Sequence, residues 1–181
     1  MKKLIMYLIV IVIAANFGSY VFAEENLLVN PGFEKVEPMG WAPYGDAVYV
    51  TDTYRSGEQS GKTWVWDYGD GLFEQYVDVV PGEKYQASVY ILSKMGDAIR
   101  DKTEAWIQIE WCTEDNVIIS DPIKSPSLTA ANDTWEYFET PVVIAPPAAA
   151  KAKIKVIQQA PNNHIDGACY FDDAKFIRVN P

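Results

Sequence analysis

Two short stretches near the ends of the chain carry residues whose types and order could do chemistry. Asn26-Leu27-Leu28-Val29-Asn30-Pro31-Gly32-Phe33-Glu34 is an apolar strand running into a Pro-Gly turn and a carboxylate, and Tyr170-Phe171-Asp172-Asp173-Ala174-Lys175-Phe176 is a strand carrying paired carboxylates. If the terminal strands of a sandwich lie side by side, oxygen ligands from both can hold one hard cation such as calcium. Zinc would want His or Cys, and the chain offers only His164, Cys112 and Cys169, with no C-x-x-C spacing. Cys112 and Cys169 fit either a disulfide, if the chain is exported, or two free buried thiols.

A second group of residues suits recognition rather than coordination. In Glu104 to Cys112, alternation puts Ile107, Ile109 and Trp111 on one side and Trp106, Gln108 and Glu110 on the other. The first set reads as core. The second combines a ring able to stack on the apolar C–H face of a sugar with an amide and a carboxylate able to bond hydroxyls. In Lys84 to Ser93 the core set is Tyr85, Ala87, Val89 and Ile91, leaving Gln86, Ser88 and Tyr90 opposite, so a polar and aromatic lane across the two strands is expected. Trp64 and Trp66 share a face two residues apart and precede the loop acids Asp67 and Asp70. Any one of these tryptophans would equally fill a core, but six Trp and eleven Tyr exceed what packing alone needs.

Catalytic patterns are thin. His164 sits in the turn-like segment 161–167 and reads as a solvated turn residue rather than a triad member. Asp67, Asp70, Glu74 and Glu110 could supply the carboxylate pair of a glycosidase, but any acidic chain offers such pairs. Asn132-Asp133-Thr134 matches a glycosylation acceptor, a tripeptide common by chance.

The elements that must position these groups have a period of two. Ala47 to Thr51, Thr63 to Asp67, Leu72 to Val79, Lys84 to Ser93, Glu104 to Cys112, Thr134 to Val143, Ala152 to Gln158 and Ala168 to Val179 are rich in β-branched and aromatic residues. Gly, Pro, Asn and Asp clusters separate them, and no stretch carries an amphipathic helix. Eight to ten such strands predict an all-β antiparallel β-sandwich or jelly roll. Pro146-Pro147 predicts that the segment from Ala145 to Ala152 connects the sheets rather than forming a helix.

Lys2 and Lys3, the apolar run Leu4 to Ala15 and the small-residue pattern Val21-Phe22-Ala23 predict a cleaved signal peptide over residues 1–23, hence a secreted, extracellular or periplasmic protein. The remainder, 24–181, is expected to be one domain with no membrane contact. The whole chain carries 15 basic and 25 acidic residues, a net charge of -10. Losing two leader lysines makes that about −12, a charge that repels nucleic acid and anionic lipid.

In these residues the chain resembles the CenC-type carbohydrate-binding modules, families 4, 9, 16 and 22. The resemblance lies in the opening and closing motifs, Trp41, Tyr54-Arg55-Ser56-Gly57 with Ser60, Phe73 to Val79, Pro81-Gly82-Glu83-Lys84-Tyr85 and Trp135, in order across nearly the whole of 24–181. It departs where Ser60 is followed by Gly61-Lys62-Thr63 rather than entering a strand directly, which leaves the register of Trp64 and Trp66 open. The resemblance implies a jelly roll with a structural calcium ion and a glycan site on one concave sheet or at the loop ends. It implies calcium ligands from the Glu34 carboxylate, carbonyls near Gly32 and in Ser56 to Ser60, and Asp172, with Glu58 as an extra candidate and Asp173 pointing elsewhere.

The reading is therefore an exported, non-catalytic β-sandwich that binds a plant or microbial polysaccharide through aromatic stacking. The ligand-binding set is Trp64, Trp66, Gln86, Tyr90, Trp106, Gln108 and Glu110. A separate glycan-degrading enzyme or cell-surface protein is the expected partner. The rivals are an extracellular structural or adhesion module and a small jelly-roll glycan-active enzyme.

Overall fold

The computed structural model describes residues 25–65, 69–100, 102–161 and 166–179; Trp66, Asp67, His164 and the leader 1–23 lie outside the described residues. Among the described residues eleven strands follow in chain order: β1 (Ala42–Tyr44), β2 (Ala47–Val50), β3 (Ser60–Val65), β4 (Gly69–Asp78), β5 (Lys84–Leu92), β6 (Glu104–Cys112), β7 (Ile123–Lys124), β8 (Glu136–Glu139), β9 (Val143–Ile144), β10 (Lys151–Ala160) and β11 (Asp166–Arg178). They form two antiparallel sheets. One has five strands in the order β1-β4-β10-β6-β7, and the other has six, in the order β2-β3-β11-β5-β8 with β9 also on β5. The fold is the expected antiparallel sandwich, with one strand more than the upper expectation. The unforeseen strands β1 and β7 are edge pieces of three and two residues, too short to show alternation. The predicted strand Thr134 to Val143 breaks into β8 and β9 around Thr140-Pro141, where proline removes a ladder donor. The Pro146-Pro147 segment does cross between sheets, from β9 to β10.

Alternation fills the space between the sheets. From the five-stranded sheet come Phe73 on β4, Ile107, Ile109 and Trp111 on β6, and Ala152, Ile154 and Val156 on β10; from the other come Tyr85, Ala87, Val89 and Ile91 on β5 and Phe171 and Phe176 on β11. Aromatic contacts lock the layers: Tyr85 stacks on Phe176 at 5.2 Å and meets the edge of Trp111 at 5.9 Å. At the other end Phe33 stacks on Trp41 at 4.8 Å. Gly61 lies where a Cβ would stand 2.9 Å from the Phe73 ring and 3.0 Å from Phe33, so only glycine admits both rings. The Gly61-Lys62-Thr63 departure thus leaves β3 regular, with Trp64 opposite Ala168 and Thr63 opposite Cys169. Cys112 and Cys169 are free and buried, and burial pushes both thiols upward in pKa.

On β11 the inward residues change parity, from Cys169 and Phe171 to Ala174 and Phe176. The register against β5 shifts between Asp172 and Lys175, and Asp173 takes a positive φ of 48°. This is a β-bulge: one extra residue bends the strand and re-aims its neighbours. It keeps both phenylalanines in the core while turning Asp172 toward the loop between β2 and β3.

Candidate functional site

The chain ends meet as the motifs predict. Leu27 N–H donates to Phe176 O (2.8 Å), Ala174 N–H donates to Pro31 O (2.9 Å), and the Asn26 amide both donates to Ala174 O and accepts from Phe176 N–H. Asp172, fully buried, accepts at Oδ2 from Arg55 N–H (2.7 Å) and Ser56 N–H (3.1 Å), and at Oδ1 from Asp173 N–H (2.7 Å). Glu34 accepts Glu58 N–H at 3.1 Å on each carboxylate oxygen. A Cβ on Gly32 would be 3.7 Å from Glu34 Oε1 and 3.8 Å from Asp172 Oδ1, and one on Gly57 would collide with the Glu34 carboxylate. Gly57 is therefore required for the Glu34 carboxylate to approach this loop, whereas a Cβ at Gly32 would make only ordinary contact with both carboxylates. Asn30, Phe33 and Asp173, none of them glycine, all have positive φ here, a concentration of strained backbone typical of ligand sites.

The donor set has the chemistry of a hard-cation site. Burial, the largest influence, lifts the Asp172 carboxyl to about 6, against the opposing pull of three backbone N–H groups. The Arg55 side chain is committed elsewhere: it pairs with Asp173 (2.5 Å), which also accepts the Ser56 hydroxyl (2.7 Å). Asp172 thus holds a buried charge met only by N–H dipoles, a position that a metal ion would relieve. The side chains of the wider predicted set divide. The Ser60 hydroxyl is spent on Thr53 O (2.5 Å), and among the described residues no cluster of three or more acidic, His or Cys groups converges. Glu34 and Asp172 would supply the carboxylates and the loop carbonyls the remaining oxygens, with Glu58 contributing its N–H to Glu34 as drawn.

The expected lane shared by β5 and β6 does not exist, because these strands belong to different sheets and their outward faces lie on opposite sides of the sandwich. Trp106, Gln108 and Glu110 occupy the five-stranded face. Register places two rows there, an apolar one of Tyr44, Leu72, Ile157 and Trp106 and a polar one of Glu74, Lys155, Gln108 and Lys124. The polar groups are tied together: Trp106 Nε1–H donates to Gln108 Oε1 (2.7 Å), Gln108 Nε2–H to Glu110 Oε1 (2.6 Å), and Lys155 meets both Glu110 oxygens at 2.9 Å. Lys153 pairs with Glu74 at 2.7 Å. Trp106 is not the open platform expected. It is 3% exposed, with the Lys124 ammonium 3.9 Å from its ring centroid. Lys153 and Lys155 were not among the expected residues of this face, although Lys151-Ala152-Lys153-Ile154-Lys155 alternates plainly.

Gln86, Tyr90 and Trp64 occupy the six-stranded face instead. Trp64 packs with Val50, Leu92, Trp135, Ala168 and Tyr170 in a small satellite cluster outside the main core. The Arg55 guanidinium lies 3.5 Å from the Tyr90 ring centroid, and Tyr90 contacts Tyr137 at 5.3 Å. Asn132, of the glycosylation tripeptide, uses its side chain to bind Ser93 N–H and Ile91 O.

No family model and no curated protein matches the sequence. Solved structures do. The chain is similar to the CBM22-1 xylan-binding domain of Paenibacillus barcinonensis Xyn10C, with 14% identity, a TM-score of 0.61, and coverage of 88% of this chain and 97% of that one. It is also similar to TmCBM61 in complex with β-1,4-galactotriose, at 18% identity and a TM-score of 0.57, covering 86% and 99%. The fold is that of carbohydrate-binding modules. The same sandwich occurs in the enzymatically active domain of bacteriophage CBA120 tailspike protein 4, at 16% identity and a TM-score of 0.64, where 85% of this chain spans 21% of the phage chain. At these identities the likeness is one of fold.

Proposed function

We propose that the protein is an exported, non-catalytic carbohydrate-binding module that takes a polysaccharide across the outward face of its five-stranded sheet, with one structural calcium ion at the Glu34–Asp172 loop. The observation that carries the reading is the pairing of an apolar row with a cross-linked polar row on that face. A sugar ring has the same division, with axial C–H groups on its faces and hydroxyls on its rim. Three inter-strand intervals of about 4.8 Å make the rows roughly 14 Å long, a length suited to a chain of several sugars. Trp106, Leu72, Ile157 and the exposed Tyr44 and Tyr76 offer apolar contact. Glu74, Glu110, Lys153 and Lys155 are held in place before a ligand arrives, which lowers the ordering cost of binding. Lys124 is an exposed side chain on an edge strand, and its displacement would open the Trp106 ring.

The non-catalytic part rests on the state of the acids. A glycosidase needs one carboxyl that keeps its proton and a second carboxylate at a set distance. On this face Glu74 and Glu110 each accept a lysine ion pair, and Asp70 accepts the Gln159 amide at 2.7 Å. Calcium would neutralise Glu34 and Asp172 and bind the two chain ends to the 55–58 loop. A separately encoded glycan-degrading enzyme remains the expected partner.

The test is retardation of purified protein in gels containing β-glucan, xylan, mannan or pectin, with Trp106→Ala and Glu110→Gln compared with wild type. Retention by at least one polysaccharide, weakened about tenfold in both variants, is expected. No retention by any of the four, or variants that bind like wild type, would sink the reading in favour of an adhesion module. Amino-terminal sequencing of the exported protein should begin at Glu24.

A further inference from the structure

The residues that the five-stranded face leaves unused lie together on the opposite side of the sandwich. There β11, β5 and β8 enclose a pocket of about 200 Å³ lined by Asn26, Gln86, Ser88, Tyr137, Lys175 and Ile177. Its walls follow from register: Lys175 is opposite Ser88, which is opposite Glu139, and Ile177 is opposite Gln86. Each polar wall has a distinct state. Asn26 is committed to the backbone of Ala174, Phe176 and Leu28 and is structural. Gln86 spends its amide N–H on Thr140 O (3.0 Å), which fixes its orientation and presents its carbonyl oxygen as an acceptor. Tyr137 is 49% exposed, yet its ring is held from behind by Tyr90 at 5.3 Å, itself held by Arg55. It is a fixed aromatic surface with one side open.

Charge selects the ligand. The chain carries a net charge of -10, but among the described residues that line the pocket the only ionised one is a cation. Lys175 is exposed and makes no ion pair with a described residue. Glu139, the acid in the same row, accepts the Tyr137 hydroxyl at 3.0 Å. A neutral sugar would leave the Lys175 ammonium unused, and a cationic one would be repelled by it.

We infer that this pocket is a second carbohydrate site, specific for a uronic acid residue. The sugar ring packs on Tyr137, its carboxylate meets Lys175, and its hydroxyls donate to the Gln86 carbonyl oxygen and to Ser88, whose own hydroxyl is bonded to Tyr137. A pocket of this volume takes one ring rather than a chain, so it reads an end or a side branch. With the five-stranded face it makes the module bivalent, although it does not depend on that face binding anything.

Calorimetric titration of the full chain with trigalacturonate and with neutral xylotriose and galactotriose tests this. Wild type should bind trigalacturonate, and Lys175→Gln and Tyr137→Ala should each weaken it about tenfold or more, the scale of one lost charge-assisted bond. Glu110→Gln should leave trigalacturonate binding unchanged, as it lies on the other face. Lys175→Gln is a surface change expected to melt like wild type, so its result stands even if Tyr137→Ala unfolds. The inference is overturned if wild type does not bind trigalacturonate or if Lys175→Gln binds it equally. Loss in Glu110→Gln also overturns it, because the uronate would then occupy the five-stranded face.

Discussion

The two outward faces are built from the same strand chemistry and reach opposite solutions. On the five-stranded face, lysines bridge carboxylates across neighbouring strands, and the central groups Glu74, Gln108 and Glu110 are 8%, 3% and 6% exposed although they point away from the core. On the six-stranded face, cations lie against rings, Arg55 on Tyr90 and Lys62 and Lys94 on Tyr170, as Lys124 does on Trp106 across the sandwich, and their ion pairs, Arg55 with Asp173 and Lys62 with Asp97, are more exposed. The first arrangement gives a fixed floor of hydrogen-bonding groups and the second a backed aromatic wall. An outward position in a strand is therefore no guarantee of an open one, and what covers it depends on the adjoining strands.

The largest expected effect separates inward from outward tryptophans. Trp111→Ala empties a space between the sheets beside Tyr85 and should cost about 3–5 kcal/mol. Trp106→Ala, equally buried but covered by an exposed lysine side chain that can settle into the gap, should cost about 1.5–3 kcal/mol. Urea denaturation of both variants measures the difference, and equal losses would end the distinction.

Next in size is the loop at the chain ends. Saturating calcium should raise stability by about 2.7 kcal/mol at a hundredfold excess over Kd, removed by chelator. In chelated protein the Asp172 carboxyl, lifted from 3.8 to about 6, binds its proton more tightly folded than unfolded. Its contribution is thus present below pH 3.8 and is lost as pH rises to about 6, on the order of 3 kcal/mol. Asp172→Asn should abolish that slope, so melting curves of wild type and variant in chelator should diverge as pH rises; parallel curves would refute the assignment.

Ion pairs sharpen the contrast further. A double-mutant cycle on Lys153 and Glu74, whose side chains are 14% and 10% exposed, should give a coupling of about 1–3 kcal/mol. The same cycle on Arg178 and Glu83, at 44% and 37%, should give under about 1 kcal/mol. The smallest effect belongs to Lys124→Met, which removes one ammonium from the Trp106 ring. Its stability cost should be about 0.5–1 kcal/mol, read as a small shift in urea midpoint.

Period-two alternation, turn residues and the absence of helical spacing made the sandwich, most strand boundaries and the inward residues of β5 and β6 legible. These are local properties, since a pleated strand sends neighbouring side chains to opposite faces whatever surrounds it. The pairing of the terminal segments that carry Glu34 and Asp172, seen in Leu27 N–H to Phe176 O and Ala174 N–H to Pro31 O, was legible from the opening and closing motifs. The chain alone did not reveal that β5 and β6 sit in different sheets, that Lys124 covers Trp106, or that Tyr137 backs onto Tyr90. Alternation gives each residue one of two sides but carries no information about which strand lies next to it. That is decided by pairing between segments far apart in sequence, by the bulge at Asp172 that shifts parity, and by edge strands of two or three residues. Sequence determined what each strand could bury; tertiary pairing determined which exposed groups became neighbours, and so where a ligand could be held.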